Sequence, residues 1–393
     1  MAAPMNWCSR VGLWKQICVD RSFASRMLPT FNKQTRTFPF RYLSNSAKQN
    51  PLKTKWRRVV WATGAAVTGT VVAAFLSFDR WRVYADNVTR PSVKVTRRIQ
   101  IDTDSSGLKL TLFQYQTCPF CCKTRAFLDY YGFSYDVVEV NSVFRTELKW
   151  TKYRKVPVLV CDGVGEDGFL QINDSSVIIS FLESHLIDPH LPLDVLLSYY
   201  PCLETKEGRK TVYEFLNKYF VMFPEKEATK TTSAERSKER KWRQWTDDVL
   251  VHVLSPNIYR SPSEALQSFN YFSEVGDWDN VFSTAERMTV IYVGSAAMLI
   301  IGWMLKKKYH LKDDVRQSLY DAGNEWTAAV GQDKFLGGDK PNLADLSVYG
   351  TLHAIEGCEA FEDLLNNTQI GRWYFRTKEA VTSHAGANMK ITD

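Results

Sequence analysis

The stretch Lys109–Cys122, KLTLFQYQTCPFCC, decides the fold. Its first seven residues alternate like a strand, with Leu110 and Leu112 on one face, and a helical pattern begins at Pro119. A Cys-x-x-Cys pair that follows a strand and opens a helix is typical of thiol chemistry. A zinc site would need a second ligand pair, and the sequence holds no second Cys-x-x-Cys, so we expect no metal.

Cys118 is the candidate catalytic residue of this motif. The unpaired N–H groups of the first helical turn and the positive end of the helix dipole stabilise a thiolate there, so we expect a lowered pKa. Pro119 suits the first turn because it has no N–H to leave unpaired. The alternative is that Cys118 and Cys121 are buried structural cysteines.

The region before this motif has a different composition. Residues 1–58 carry twelve Lys or Arg and one acid, Asp20, which is typical of an organelle targeting tail or of a disordered basic tail. Residues 59–78 are uncharged and span about 30 Å as a helix, which predicts a membrane anchor; a buried helix or an uncleaved import signal is the alternative. Residues 79–106 are interpreted as a linker.

The remainder of the chain is mildly acidic and has no basic stripe for nucleic acid. Its few scattered cysteines do not form a disulfide framework, which indicates a reducing compartment.

Residues 107–190 predict a β-α-β-α opening with a partly parallel sheet. Pro157 enters a strand where it removes a hydrogen-bond donor, and Asp174 with Ser175 lies where the next helix needs a cap. The expected elements are strands at Lys109–Tyr115 and Tyr135–Val140, helices at Pro119–Tyr131 and Ser142–Lys152, and a hairpin of Val158–Cys161 with Phe169–Ile172.

Residues 200–393 are helical in pattern. Asn342 followed three residues later by Asp345 predicts a capping box. The other expected segments are a helix at Glu204–Phe223, a solvated charged connection at Glu225–Lys241, a helix at Trp242–Leu254 ended by Pro256, and a helix at Val315–Val330.

Thr289–Leu305 is a run of seventeen uncharged residues followed by three lysines. It is long enough to suggest a second membrane segment, but its Gly and Ala suit close helix packing, so we predict a buried helix. His252 and His353 lie among apolar residues without a second histidine at helical spacing, so we predict core histidines rather than metal ligands.

Three features in one order, CPFC, Val156-Pro157 and Asp174-Ser175, resemble the glutathione-binding half of thioredoxin-fold transferases and glutaredoxins. The resemblance implies a cis Pro157, pairing of the Val156 backbone with the cysteinyl part of glutathione, and contacts of Asp174 and Ser175 with its γ-glutamyl end. The segment 341–345 resembles the core helix of the glutathione-transferase C-terminal domain. The expected fold is therefore an α/β thioredoxin-like or glutaredoxin-like domain at 107–190 and an all-α glutathione-transferase-like domain at 200–393, preceded by the N-terminal membrane anchor.

Longer segments resemble the membrane-associated prostaglandin E synthases of type 2 over about residues 108–380. The segments that carry the resemblance are 115–121, 123–129, 153–157, 172–180, 241–245 and 340–346. The resemblance implies isomerisation of the lipid endoperoxide prostaglandin H2 to prostaglandin E2. Cys118 would be the catalytic thiol, Tyr115 and Phe120 would hydrogen-bond or orient the substrate, and Cys121 would be supporting.

The same resemblance implies bound glutathione, haem held through the glutathione sulfur, a homodimer and a Golgi membrane location. The basic tail points instead to a mitochondrion, and N-terminal cleavage would give a soluble form. Two other functions fit the motif: a glutaredoxin-like thiol–disulfide oxidoreductase, in which Cys121 matters as much as Cys118, and a glutathione- or haem-binding protein without turnover.

Overall fold

The computed structural model describes residues 92–165, 168–208, 210–224 and 231–387. The predicted targeting tail, membrane anchor and first part of the linker lie outside these residues. The last part of the predicted linker is not all irregular, because Arg97–Ile99 forms strand β1 and pairs antiparallel with Tyr135–Val137. The linker interpretation is therefore wrong for those three residues.

A five-stranded sheet carries the thiol motif. Its strands are β2 (Lys109–Gln114), β3 (Tyr135–Glu139), β4 (Val158–Asp162) and β5 (Phe169–Asn173) together with β1, in the order β1-β3-β2-β4-β5. Strands β2 and β3 are parallel and the other pairs are antiparallel, so the predicted partly parallel sheet is confirmed.

Three helices accompany the sheet: α1 (Pro119–Tyr130), α2 (Ser175–Ile187) and α3 (Leu193–Ser198). The predicted helix at Ser142–Lys152 is wrong, since only Thr146–Leu148 forms a short 3-10 turn. The Asn141 side chain accepts hydrogen bonds from the N–H groups of Val143 and Phe144, and such a local turn competes with helix formation.

The predicted helix at Glu204–Phe223 is also wrong. Cys202–Glu207 and Lys210–Phe215 form an antiparallel hairpin, β6 and β7. The rings of Tyr213 and Phe215 on β7 lie 5.2 and 5.9 Å from the ring of Tyr153, so the hairpin is held against the sheet domain by aromatic packing.

The rest of the described chain is helical. Its core contains four tryptophans whose neighbouring ring centroids lie 5.0 to 6.4 Å apart: Trp242, Trp245, Trp326 and Trp373. The elements are α4 (Ser233–Trp245), a π-helical turn (Thr246–Leu250), α5 (Val251–Ile258), α6 (Pro262–Val275), α7 (Trp278–Val281), α8 (Thr284–Thr289), a second π-helical turn (Val290–Gly294), α9 (Ser295–Lys308), α10 (Val315–Val330), α11 (Leu343–His353), α12 (Glu359–Asn367) and α13 (Ile370–Thr382).

Two predicted boundaries in this half are wrong. Most of the described part of the expected charged connection is helix α4, which begins with a capping box between Thr232 and Glu235. Pro256 does not end the following helix, because α5 continues through it to Ile258. The predicted capping box of Asn342 and Asp345 at the start of α11 is confirmed.

The prediction of a buried helix at Thr289–Leu305 is wrong. Within that run only Ile291, Ser295 and Gly302 are buried, and Tyr292 and Trp303 are more than half exposed. Thr284–Lys308 is the one helix of the described chain that is long and apolar enough to cross a membrane.

The two predicted core histidines are half-buried rather than fully enclosed. The His252 ring stacks on Tyr309 with centroids 3.9 Å apart, and His353 lies 2.7 Å from the Glu356 carboxylate.

Helix α11 packs directly on α1 and so joins the helical half to the thiol helix. A Cβ added to Gly350 would lie 2.5 Å from the Lys123 Cα, which is closer than real Cβ contacts allow. Glycine is therefore required at this crossing, and the position of α1 depends on the helical half.

Candidate thiol site

The predicted site residues converge at one end of the sheet. Phe113 pairs with Val158, and Val158 pairs with Asn173. Tyr115, two residues beyond Phe113, and Val156, two residues before Val158, therefore lie at the same end as Asp174. Helix α1 begins at this end as well, immediately after Cys118.

Cys118 is the N-cap residue of α1, with Pro119 in the first turn and the side chain partly exposed. A hydrogen bond from the Cys121 thiol is the largest influence that holds the pKa of Cys118 below its usual range. The backbone N–H groups of Cys121 and Phe120 act in the same direction, as does the positive charge of Arg125. The direction agrees with the lowered pKa expected from the motif, but its largest cause is the Cys121 thiol rather than the helix start, and together these effects outweigh the opposing effect of burial on the pKa.

Cys121 and Cys122 differ from Cys118 in both exposure and ionisation. Both side chains are buried, and burial raises the pKa of Cys121 well above its usual value and that of Cys122 to about 11. The Cys122 thiol donates to the Gln116 carbonyl over 3.2 Å. Only Cys118 of these three thiols combines access to solvent with a favoured thiolate.

Arg125 is a site residue that sequence reasoning missed. It is buried on α1 and donates to the Gln116 carbonyl over 2.7 Å, to the Gln114 side-chain oxygen over 2.5 Å and to the Cys122 sulfur over 3.1 Å. The N–H of Gln116 is in turn held by the Glu139 carboxylate. These contacts fix the loop before Cys118 and place a buried positive charge near its sulfur.

Tyr115 and Phe120 flank Cys118 in the chain. The Tyr115 carbonyl accepts a hydrogen bond from the Cys118 N–H over 3.2 Å. Burial raises the pKa of Tyr115 to about 12, so its hydroxyl stays protonated at neutral pH and can donate a hydrogen bond. Phe120 is partly exposed in the first turn of α1, next to the thiol.

The second side of the site is formed by the turn before β4 and the start of α2. The Val156–Pro157 peptide bond is cis, as expected from the thioredoxin-like resemblance. Asp174 caps α2 by accepting from the N–H of Ser176 over 2.8 Å and the N–H of Val177 over 3.3 Å. Ser175 follows as the first residue of the helix.

A buried ion pair behind these two helix starts was also not predicted. The Lys123 ammonium on α1, 1% exposed, lies 2.6 Å from the Asp247 carboxylate in the π-helical turn after α4. Ser176 accepts from Lys123 over 2.9 Å and donates to Asp247 over 2.9 Å, and Tyr219 also donates to Asp247. Lys123 and Asp247 are more than a hundred residues apart in sequence, so no local pattern could have indicated the ion pair.

No group of three or more His, Cys, Asp or Glu side chains in the described part of the chain is arranged to hold a metal ion. The site consists of a partly exposed thiol with a lowered pKa, two helix starts and a cis-proline turn at one end of the sheet.

Comparison with known proteins assigns the chain to a family. Residues 110–165 match the glutaredoxin family model. The chain is 50% identical over 281 residues to prostaglandin E synthase 2 of Mus musculus, covering 70% of this chain and 71% of that protein. It is 48% identical over 288 residues to prostaglandin E synthase 2 of Danio rerio, covering 72% and 73% of the two chains.

The chain belongs to the prostaglandin E synthase 2 family.

Among solved structures, the chain resembles glutathione transferase F7 from Populus trichocarpa with a TM-score of 0.40 and 14% identity, over 71% of this chain and 100% of that one. The glutaredoxin match ends within the hairpin of β4 and β5, so it covers the thiol motif but not the helical half of the chain.

Proposed function

We propose that this chain is a glutathione-binding isomerase that converts prostaglandin H2 to prostaglandin E2. The observation that carries the proposal is its identity of about one residue in two with two prostaglandin E synthase 2 proteins over more than two thirds of their length. The site supplies what the reaction needs, because Cys118 is partly exposed and its pKa is lowered.

The reaction breaks one O–O bond and leaves a ketone and a hydroxyl, with no net redox change. The Cys118 thiolate attacks one peroxide oxygen, which forms an S–O bond and releases the other oxygen as an alkoxide. Loss of the proton from the carbon that bears the S–O oxygen then forms the ketone and expels the thiolate, while the alkoxide takes up a proton. The thiol returns to its starting state, so each cycle needs only one ionised sulfur.

The neighbouring residues have separate roles in this proposal. Tyr115 keeps its proton at neutral pH and hydrogen-bonds substrate oxygen, and Phe120 orients the apolar substrate beside the thiol. Cys121 is supporting, because its thiol donates to Cys118 and favours the thiolate there. Arg125 is a positioning residue that holds the loop before Cys118.

The residues present fit glutathione. The cis turn at Pro157 leaves the Val156 backbone next to β4 at the site end of the sheet, where it would pair with the cysteinyl part of glutathione. Asp174 and Ser175, at the start of α2, take the γ-glutamyl end. Bound in this way, glutathione would bring a second thiol to the site.

The haem implied by the resemblance would be held by that glutathione sulfur rather than by a protein side chain. The partly exposed side of Cys118 is where such a group has access. A haem absorption spectrum that appears only with glutathione would support this part of the proposal, and haem binding that is independent of glutathione would contradict it.

The remaining features rest on the resemblance and the N-terminal composition. We propose a homodimer that is anchored to the Golgi membrane through residues 59–78. The basic tail supports a mitochondrial location as the alternative, and N-terminal cleavage would give a soluble form. Full-length protein should resist alkaline carbonate extraction from membranes, because burial of twenty uncharged residues is effectively irreversible. Intact full-length protein in the soluble fraction would contradict the anchor.

The proposal is tested with purified full-length protein assayed for prostaglandin E2 from prostaglandin H2, with and without glutathione, beside a disulfide-reduction assay. We expect isomerase activity that exceeds a boiled control and little disulfide reduction. The match to the glutaredoxin model keeps one alternative in view: efficient disulfide reduction without isomerisation would assign the site to a thiol–disulfide oxidoreductase. Glutathione binding without either activity would indicate a binding protein.

A further inference from the structure

Helix α8, the π-helical turn that follows it and α9 form one continuous helix, Thr284–Lys308, with a mean hydropathy of 1.9 over its most apolar eighteen residues. Its 25 residues correspond to about 37 Å. Only 17% of the apolar stretch is buried. A core helix would be mostly buried and a signal sequence would lie near the N-terminus, so neither explains this segment.

One side of the helix is fixed to the protein. Ile291 and Ser295 are buried, and α9 contacts α5 and α6. A Cβ added to Gly294 would lie 2.6 Å from the Phe269 ring, so the helix is packed closely on α6 at this point. This attachment holds the helix along the protein surface, where it cannot cross a bilayer without its neighbours.

The opposite side, which we call the outer face, is apolar and exposed. Six large side chains on it are 39–58% exposed: Met288, Tyr292, Val293, Ile300, Trp303 and Met304. Their spacing by one, three, four and seven residues places them along one stripe of the helix. Contiguous exposed apolar side chains along one helix are often functional, so the outer face is a candidate interaction surface.

The end of the outer face combines aromatic and basic groups. The Lys307 ammonium lies 3.6 Å from the centroid of the Trp303 ring, and Lys307 and Lys308 are both exposed. Lysine beside tryptophan at the end of an apolar helix is typical of membrane–water interfaces, and lysine is attracted to anionic lipid headgroups.

The size of the outer face also favours a lipid bilayer over a second protein molecule as its partner. The outer face offers six large apolar side chains along roughly 24 Å of helix, whereas specific protein interfaces use about 20–30 residues a side. A lipid surface has no such minimum, because acyl chains adapt to whatever apolar area is offered.

We propose that the outer face lies flat on an anionic membrane surface and forms a membrane contact of the helical half, independent of residues 59–78. The apolar side chains enter the headgroup–acyl boundary, and Lys307 and Lys308 meet the phosphate layer.

The test uses full-length protein reconstituted in vesicles of phosphatidylcholine and phosphatidylserine. Each variant carries the photoreactive residue p-benzoylphenylalanine at a single position. The two test positions are Trp303 and Tyr292, which are 58% and 56% exposed. The control position is Phe375, a 51% exposed aromatic residue on α13. Each change replaces an exposed ring with another, so the fold should be retained.

We expect protein–lipid adducts at both test positions in several-fold higher yield than at Phe375. Adducts between two protein chains would assign the outer face to a second copy, and equal lipid yields at all three positions would show a solvent-exposed face; either result overturns the proposal. With the probe at Trp303, Lys307→Glu combined with Lys308→Glu should lower the yield in phosphatidylserine vesicles and not in phosphatidylcholine alone. An unchanged yield would refute the preference for anionic lipid.

Discussion

The buried ion pair of Lys123 and Asp247 allows a quantitative test of how the helical half holds the thiol helix. Asp247→Ala would leave the Lys123 ammonium, 1% exposed, with Ser176 as its remaining hydrogen-bond partner. Removing one partner of a buried pair costs about 3–5 kcal/mol because a charge is left uncompensated. Lys123→Met should cost less, about 2–3 kcal/mol, since Asp247 keeps hydrogen bonds from Ser176 and Tyr219.

A double variant separates the ion pair from the general effect of altering the core. Lys123→Met combined with Asp247→Leu replaces both charges with apolar groups, and such replacements are often neutral. We therefore expect the double variant to lie within about 1 kcal/mol of the wild type, far from the sum of the two single losses.

The free energy of unfolding would be measured by urea titration at neutral and acid pH. Burial alone would raise the pKa of Asp247, but the Lys123 ammonium and its hydrogen bond hold that pKa below its usual range. The stabilisation is therefore present above about pH 4, the unfolded value, and is lost as the pH falls through the folded pKa. A loss of less than 1 kcal/mol in Asp247→Ala, or additive losses in the double variant, would refute this reasoning.

Three further predictions concern the site and its support. Arg125→Met should raise the pKa of Cys118 because it removes a positive charge that favours the thiolate. Both the thiolate absorbance titration and the rising limb of the pH profile of isomerase activity should shift to higher pH, and an unmoved titration would contradict the role of that charge. Asp174→Ala should weaken glutathione binding in calorimetry and cost about 1 kcal/mol of stability through loss of the cap. The control Thr232→Ala, which removes the cap at the exposed start of α4, should cost stability but leave glutathione affinity unchanged. Asn342→Ala should cost about 1–2 kcal/mol in thermal or urea unfolding, because it removes the capping box of α11, and a loss below 0.5 kcal/mol would contradict that contribution.

The features of the site that the sequence revealed are those specified within a few residues. The Cys-x-x-Cys pair, Pro119 at the helix start and the cap at Asp174 each involve groups no more than three positions apart in the chain, so their consequences could be stated before the fold was known. The cis turn at Pro157 was accessible only through the family resemblance.

The missed features depend on distant or ambiguous signals. Arg125 and Lys123 are charged residues on a helix and suggest a solvated face, yet both are buried because Gln114 and Asp247 are brought to them by the fold. Gly208, which adopts a φ of +61° between the two strands of the hairpin, is a turn signal in the sequence, but the many charged residues around it favour the helical interpretation.

The exposed helix Thr284–Lys308 shows a different limit. Composition identifies an apolar helix, but the same composition serves a protein core and a membrane surface. Only the burial of each side chain decides between them, and burial depends on whether neighbouring helices cover one face or all faces.

The central claim is that one activated thiol, Cys118, performs the isomerisation. The most direct measurement compares the Cys118→Ser and Cys121→Ser variants in the conversion of prostaglandin H2 to prostaglandin E2 under a thiol reductant. Cys118 has the lowered pKa at the helix start, whereas the pKa of Cys121 is raised, so we expect Cys118→Ser to abolish activity and Cys121→Ser to retain a substantial part of it. A thiol–disulfide oxidoreductase would need the second sulfur to release a mixed disulfide. Equal loss of isomerase activity in the two variants, together with efficient disulfide reduction by the wild type, would contradict the claim.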